Sequence, residues 1–250
     1  MTCHAKNKKE ALQHLDNLFN CNLLSIPEFF WRDKFQSYSR KGKFYRNCVK
    51  EKSSNVTECL LELQKICLNS KFILIKATRI YMETVEPLIE RYKDLTVIHL
   101  TRDPRGLIFS RLFYKFYVTE STVQKFANNH CSVLLKNIRD SETFVKKYPM
   151  QVMQLRYETL ACDPLNISKR LYEFCGLTFS SKISNTISSM TMEGQLQRGV
   201  MGLKKPNSCE AAYAWKKNIT NEVSTKIEKE CVPLFQKMHL QNMTYNVRSA

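Results

Sequence analysis

Val97-Ile-His-Leu-Thr-Arg102-Asp-Pro-Arg-Gly-Leu-Ile-Phe-Ser-Arg111 is the stretch that decides the fold. Its apolar opening, up to Leu100, reads as a buried parallel strand. Pro104 stands where the first turn of a helix would begin, a position that tolerates proline. The strand delivers Arg102 to its carboxyl end, the edge at which open α/β sheets bind ligands. The free N–H groups of a helix starting near Pro104 face the same crevice and favour an anion. Ser110 lies about two turns into that helix and can add a hydroxyl, while Arg102 can make a charge-assisted, bidentate contact to phosphate. The same residues also allow a plainer arrangement. Asp103 then caps the helix, Arg102 forms a surface ion pair and Ser110 faces a neighbouring helix.

Outward from this stretch, short apolar runs alternate with amphipathic ones. Phe72-Ile-Leu-Ile75 reads as a buried strand ending at Lys76, and Val152-Met-Gln-Leu-Arg156 as a further strand. Helices are expected over 9–24, 57–68, 80–92 (with Pro87 as a kink), 104–116, 121–147, 180–190 and 221–238. Another begins at Pro164 and is capped by Gly176. The aromatic and basic segment 25–56 reads as an irregular helical insertion, and the aperiodic basic segment 194–206 as a loop. Alternating strands and helices predict an α/β fold, a parallel sheet with helices on both faces. The whole chain, 1–250, is expected to form a single domain. With only 6 Gly and 7 Pro in 250 residues, it is not linker-dominated.

The formal net charge of +16 favours anionic partners: nucleic acid, acidic polysaccharide, anionic lipid or a polyphosphorylated cofactor. The charge is scattered, with no run resembling a nucleic-acid arm. Ten cysteines occur without a CxxC pair, which argues against zinc. Four sequons, at Asn55, Asn166, Asn218 and Asn242, join the cysteine count in pointing to a secretory, oxidising compartment. No apolar run is long enough to span a bilayer and no signal peptide is present. A lumenal protein needs a way into the lumen, so the natural chain is expected to extend upstream of Met1. The absence of GxxxxGK[ST] disfavours a nucleotide kinase of the P-loop type.

Arg102-Asp-Pro-Arg-Gly followed by Ser110-Arg111 resembles the 3′-phosphate signature of sulfotransferases that use 3′-phosphoadenylyl sulfate, in the form found in the Golgi carbohydrate branch. Other segments resemble that branch in the same order: Leu18-Phe-Asn-Cys21, Ile75-Lys-Ala-Thr-Arg79, Leu155-Arg-Tyr-Glu-Thr-Leu-Ala-Cys-Asp-Pro164 and Ala214-Trp-Lys216. The similarity is nearest to enzymes that sulfate the 6-hydroxyl of N-acetylglucosamine, galactose or N-acetylgalactosamine. It implies a P-loop-NTPase-like sulfotransferase fold, a glycan acceptor, no nucleic acid, no metal, and a membrane-anchored Golgi-lumen enzyme in full length. The family's 5′-phosphosulfate loop and first strand, and the Glu-Pro stretch after the loop, are missing from this chain. Thr159 replaces a frequent Asp.

By this resemblance Arg102 and Ser110 hold the cofactor's 3′-phosphate. Asp103, Arg105 and Tyr157 complete the cofactor site, with Tyr157 either beside adenine or packed in the core. Lys76, expected at a strand end, is the one weak candidate for a catalytic role, and no base can be assigned. Trp215 reads as a packing anchor, His99 as a core or strand-end residue, and Glu158 as a structural ion pair or cap. A different reading keeps the fold without catalysis, as a protein that binds sulfated glycan or nucleotide.

Overall fold

The computed structural model describes residues 8–27, 40–51, 55–78, 80–192, 205 and 207–241. The segment 194–206, expected as a loop, lies almost wholly outside them, as does much of 25–56. The chain divides into two compact units, Met1–Arg91 and Tyr92–Ala250.

The first unit contains α1 (Lys8–Phe19), a 3-10 turn (Leu23–Ser25), α2 (Arg40–Glu51), α3 (Val56–Leu68) and α4 (Met82–Arg91). Asn55 starts α3 by accepting a hydrogen bond from Glu58 N at 3.2 Å, while its Nδ2 donates to Glu58 Oε2. The first bond satisfies one of the free backbone donors of the first turn, and the second ties the two side chains together. Leu23, Ile26, Tyr45, Leu60 and Leu63 form the buried core. The Cys21–Cys67 and Cys48–Cys59 bridges tie its elements together. Pro87 is accommodated inside α4 without ending it.

Phe72–Ile75 does not form the expected strand. Phe72 is 66% and Leu74 95% exposed. A strand requires a ladder partner for its backbone groups, and no other strand occurs among the described residues of this unit.

The second unit carries the sheet. β1 (Val97–Thr101) leads into α5 (Pro104–Phe113) and α6 (Val123–Lys147), and the chain returns through β2 (Val152–Arg156). The two strands are parallel, with Val97 opposite Val152 and Thr101 opposite Arg156. Then follow α7 (Tyr157–Cys162), α8 (Pro164–Phe174), α9 (Ser181–Thr191), α10 (Ser208–Tyr213), α11 (Trp215–Asn218), α12 (Asn221–Glu230) and α13 (Val232–Met238). The α/β class is as expected, with helix predominating.

One face of β1 meets α6. His99 Nδ1 meets Ser141 Oγ of α6 at 2.8 Å, and Gln154 Nε2 donates to the same oxygen. The Ser141 hydroxyl donates to Ile138 O, so its oxygen is an acceptor towards His99 and the imidazole carries its proton on Nδ1. Burial lowers the His99 pKa and keeps the ring neutral. On the opposite face Ile98 and Leu100 are 38% and 51% exposed. Among the described residues the sheet is two-stranded rather than three-stranded.

The helix expected over 221–238 is interrupted at Cys231, between α12 and α13. Pro233 has no N–H to donate and its ring opposes the carbonyl one turn earlier. Ile108, Val123, Ala127, Trp215, Val223, Ile227, Leu234 and Phe235 form the main core. The Cys131–Cys231 bridge pins α6 to the junction of α12 and α13, and Cys162–Cys209 joins α7 to α10. Cys175 is the free cysteine among the described residues. No described helix is long and apolar enough to cross a membrane.

Candidate functional site

At the carboxyl end of β1 the backbone turns through Arg102 and Asp103 into α5. Asp103 is 3% exposed and is the helix N-cap, accepting from Arg105 N at 2.9 Å. Its own N–H donates to Glu158 Oε1 on α7 at 2.9 Å. The end of β1 is thereby fastened to the element that follows β2. Glu158 Oε2 is buried without a hydrogen-bond partner, and Arg156 Nε approaches it at 3.8 Å.

Arg105 is buried as deeply as Asp103. Its Nε and Nη2 donate to the two Asp103 oxygens at 3.1 and 2.9 Å. Nη1 donates to Glu228 Oε1 at 2.8 Å and to Gln241 O at 2.9 Å. The guanidinium lies over Phe235 and Trp215, 4.7 and 5.2 Å from the ring centroids. Burial alone would lower the Arg105 pKa, but the hydrogen bonds and charges of Asp103 and Glu228 outweigh it and hold the pKa above the usual arginine value. Asp103 and Arg105 thus hold the loop together through their bonds to one another, to Glu228 and to Gln241 O.

Arg102 has a different environment. It is half-buried, its Cζ stands 4.6 Å from the Tyr157 ring centroid, and its Nε is buried without a hydrogen-bond partner. Parallel register explains the contact. Thr101 faces Arg156 across the ladder, so the next residues along, Arg102 and Tyr157, emerge side by side. A buried unpaired guanidinium N–H is costly unless something accepts from it. Ser110 is partly exposed on α5, one turn beyond Gly106. Among the described residues Ser110 makes no hydrogen bond to Arg102.

Gly106 has its own reason for being glycine. A Cβ there would lie 2.7 Å from Trp215 Nε1 and 2.8 Å from Trp215 Cδ1. The indole of α11 therefore packs directly on the first turn of α5, and two segments singled out in the sequence prove to be a single packed unit. Trp215 is 4% exposed, the packing anchor its sequence context predicts.

Lys76 is exposed in a stretch without regular secondary structure, and among the described residues no strand ends there, so the strand-end geometry that made it a candidate is absent. Arg111 lies over Phe126 at 5.2 Å, and Phe126 stacks on His130. Glu228 and the carbonyl of Gln241 were not visible as partners of the loop. They follow Arg105 by 123 and 136 residues, and nothing local marks them. Among the described residues no cluster of side chains could hold a metal ion.

Residues 5–181 match the sulfotransferase family. The chain is 27% identical over 188 residues to human carbohydrate sulfotransferase 3, a match covering 67% of this chain and 38% of that protein. It is 21% identical over 194 residues to carbohydrate sulfotransferase 4 of Mus musculus, covering 68% and 48% respectively. It is 22% identical over 212 residues to human carbohydrate sulfotransferase 2, covering 69% and 40%. The matched segment thus spans less than half the length of each of these relatives. A strand that ends in an unpaired arginine, a capped helix behind it and a family match running through both lead to one conclusion: the chain belongs to the sulfotransferase family.

Proposed function

We propose that the full-length protein is a carbohydrate sulfotransferase, moving a sulfuryl group from 3′-phosphoadenylyl sulfate to the 6-hydroxyl of a hexosamine or galactose residue in a glycan. The names of the relatives support the sugar acceptor. In this reading the protein works in the Golgi lumen, membrane-anchored, and the scattered excess of positive charge suits an anionic donor and an acidic acceptor.

The observation that carries the proposal is the contrast between two arginines. Arg105 is saturated by Asp103, Glu228 and a backbone carbonyl. Arg102, at the edge where α/β sheets bind ligands, keeps a buried N–H without a partner. Its guanidinium would accept the 3′-phosphate, with Ser110 adding a hydroxyl. Tyr157, covered on one face by Arg102, would flank the adenine. The nucleotide would supply the activated sulfuryl group. The chain's part is to fix the donor's position and to balance its charge, which is most of what such transfers need.

The test is calorimetric titration of the full-length protein with 3′-phosphoadenosine 5′-phosphate. Arg102→Ala removes a charge-assisted contact worth about 1.5–3 kcal/mol, so affinity should fall by roughly 10- to 150-fold. Arg111→Ala, at the far end of α5, should change affinity by less than about 3-fold on the same scale. Equal affinities for the two variants would remove Arg102 from the phosphate site.

A further inference from the structure

We propose that Asn55, Asn166 and Asn218 carry N-linked glycans. Each opens an Asn-X-Ser/Thr sequon with no proline at X: Asn55-Val-Thr57, Asn166-Ile-Ser168 and Asn218-Ile-Thr220. A sequon alone says little, because surface asparagine is common. Two structural observations add to it.

The first is redox chemistry. Four disulfides close among the described residues, two in each unit, leaving Cys175 free. Bridges of this number form in the secretory pathway, where the glycosylating machinery also acts. The second is the state of each asparagine amide. All three side chains are exposed. A primary amide has two N–H donors, and each of these amides uses one of them in the fold. Asn55 Nδ2 donates to Glu58 Oε2 at 3.3 Å, Asn166 Nδ2 to Asp163 Oδ2 at 3.2 Å, and Asn218 Nδ2 to Ala214 O at 2.8 Å. Glycosylation replaces the N–H on the carbonyl side of the amide and keeps the one beside Cβ, so each amide retains a donor. Asn55 Oδ1, which caps α3, also remains an acceptor.

In the transfer, the amide nitrogen bonds to the anomeric carbon of an oligosaccharide carried on a lipid pyrophosphate. The carbon–oxygen bond to pyrophosphate breaks, the lipid pyrophosphate leaves, and the amide proton passes to a base of the host transferase. The reaction precedes folding, and the exposed positions let the finished fold accommodate the sugar. Asn242 lies outside the described residues.

The experiment takes the protein from its native cells and treats it with an amidase that cleaves N-glycans in heavy-oxygen water. Formerly glycosylated asparagines become heavy-oxygen aspartates, which peptide mass spectrometry locates. Labelling at all three positions is expected, with a drop in apparent mass on a gel. An unlabelled asparagine overturns the assignment at that position, and an unchanged gel mobility with no label overturns the whole. Variants should spare the caps. Thr57→Ala abolishes the first sequon while leaving the Asn55 cap of α3, and Ser168→Ala abolishes the second. Asn218→Gln is preferable to a change at Thr220, because Thr220 caps α12. Each should remove one step of the gel shift. The outcome is independent of nucleotide binding, so a failed titration and a failed glycan map remain separate results.

Discussion

Replacing Gly106 by alanine separates two opposed effects whose balance is set by one indole. Alanine in a helix is favoured over glycine by up to about 1 kcal/mol, so on propensity alone the change stabilises α5. The new methyl, however, would stand 2.7 Å from Trp215 Nε1 and 2.8 Å from Cδ1. Ordinary heavy-atom contact begins near 3.5 Å, so the ring or the helix must retreat by about 0.8 Å. Trp215 is 4% exposed, belongs to the main core and lies beside the Arg105 guanidinium, which leaves it no room to yield. Overpacking of this kind costs about 1–3 kcal/mol, and the net expectation is a loss of about 1 kcal/mol. Urea unfolding followed by circular dichroism measures it, as a lower midpoint with an unchanged slope. The decisive arm is the same substitution made in Trp215→Leu. With the indole gone the steric cost disappears and Gly106→Ala should stabilise by up to about 1 kcal/mol. A loss of the same size in both backgrounds would refute the packing explanation for the glycine.

Arg105→Met should destabilise the second unit by about 3–5 kcal/mol, since it leaves Asp103 and Glu228 without their shared cation in a buried site. Arg102→Met should cost less than about 1 kcal/mol, and equal losses in chemical denaturation would contradict the division between the two arginines. His130 is held at a pKa of about 4, against an ordinary 6.5, by burial and by the nearby Arg111 charge. Its folded-state pKa is depressed, so its contribution is fully present above pH 6.5 and is lost as pH falls towards 4. Wild type should therefore lose at most about 3 kcal/mol more than His130→Gln over that range, and parallel stability curves for the two proteins would rule the linkage out.

What could be read in the sequence was local. Asp103 and Pro104 mark a helix start through cap chemistry and a fixed φ, and α5 begins where they place it. The long amphipathic run before Tyr148 became α6, and Gly176 takes the positive φ of 64° that its reading as a helix end implies. Phe72–Ile75 was misread because its apolar run has the composition of a strand, whereas a strand exists only with a neighbour to pair with. The short helices α7, α10 and α11 contain 6, 6 and 4 residues, too few for a helical period to show. The site divides in the same way. The turn from strand to helix was visible, but the saturation of Arg105 was not, because its decisive partner stands on α12.

That saturation bears on how a single Arg-Asp-Pro-Arg segment can serve two purposes. The second arginine sits inside the helix start, at the position whose N–H the Asp103 cap already engages, so its side chain folds back on the same carboxylate and into the core. The first precedes the cap, on backbone still leaving the strand, and the parallel register sets it against Tyr157 rather than against an acid. An unpaired guanidinium at a sheet edge would swing into solvent unless held. The aromatic face holds it without neutralising it, whereas a carboxylate in the same place would compete with an incoming phosphate. Rigidity is supplied by Asp103, Arg105, Glu158 and Glu228, all bonded to one another or to the loop. In the proposed function, charge for the donor's phosphate is left to Arg102. A lysine at 105 would lose the fork that grips Asp103 at two points while reaching Glu228, and the cost would appear as a loosened loop and a mispositioned Arg102.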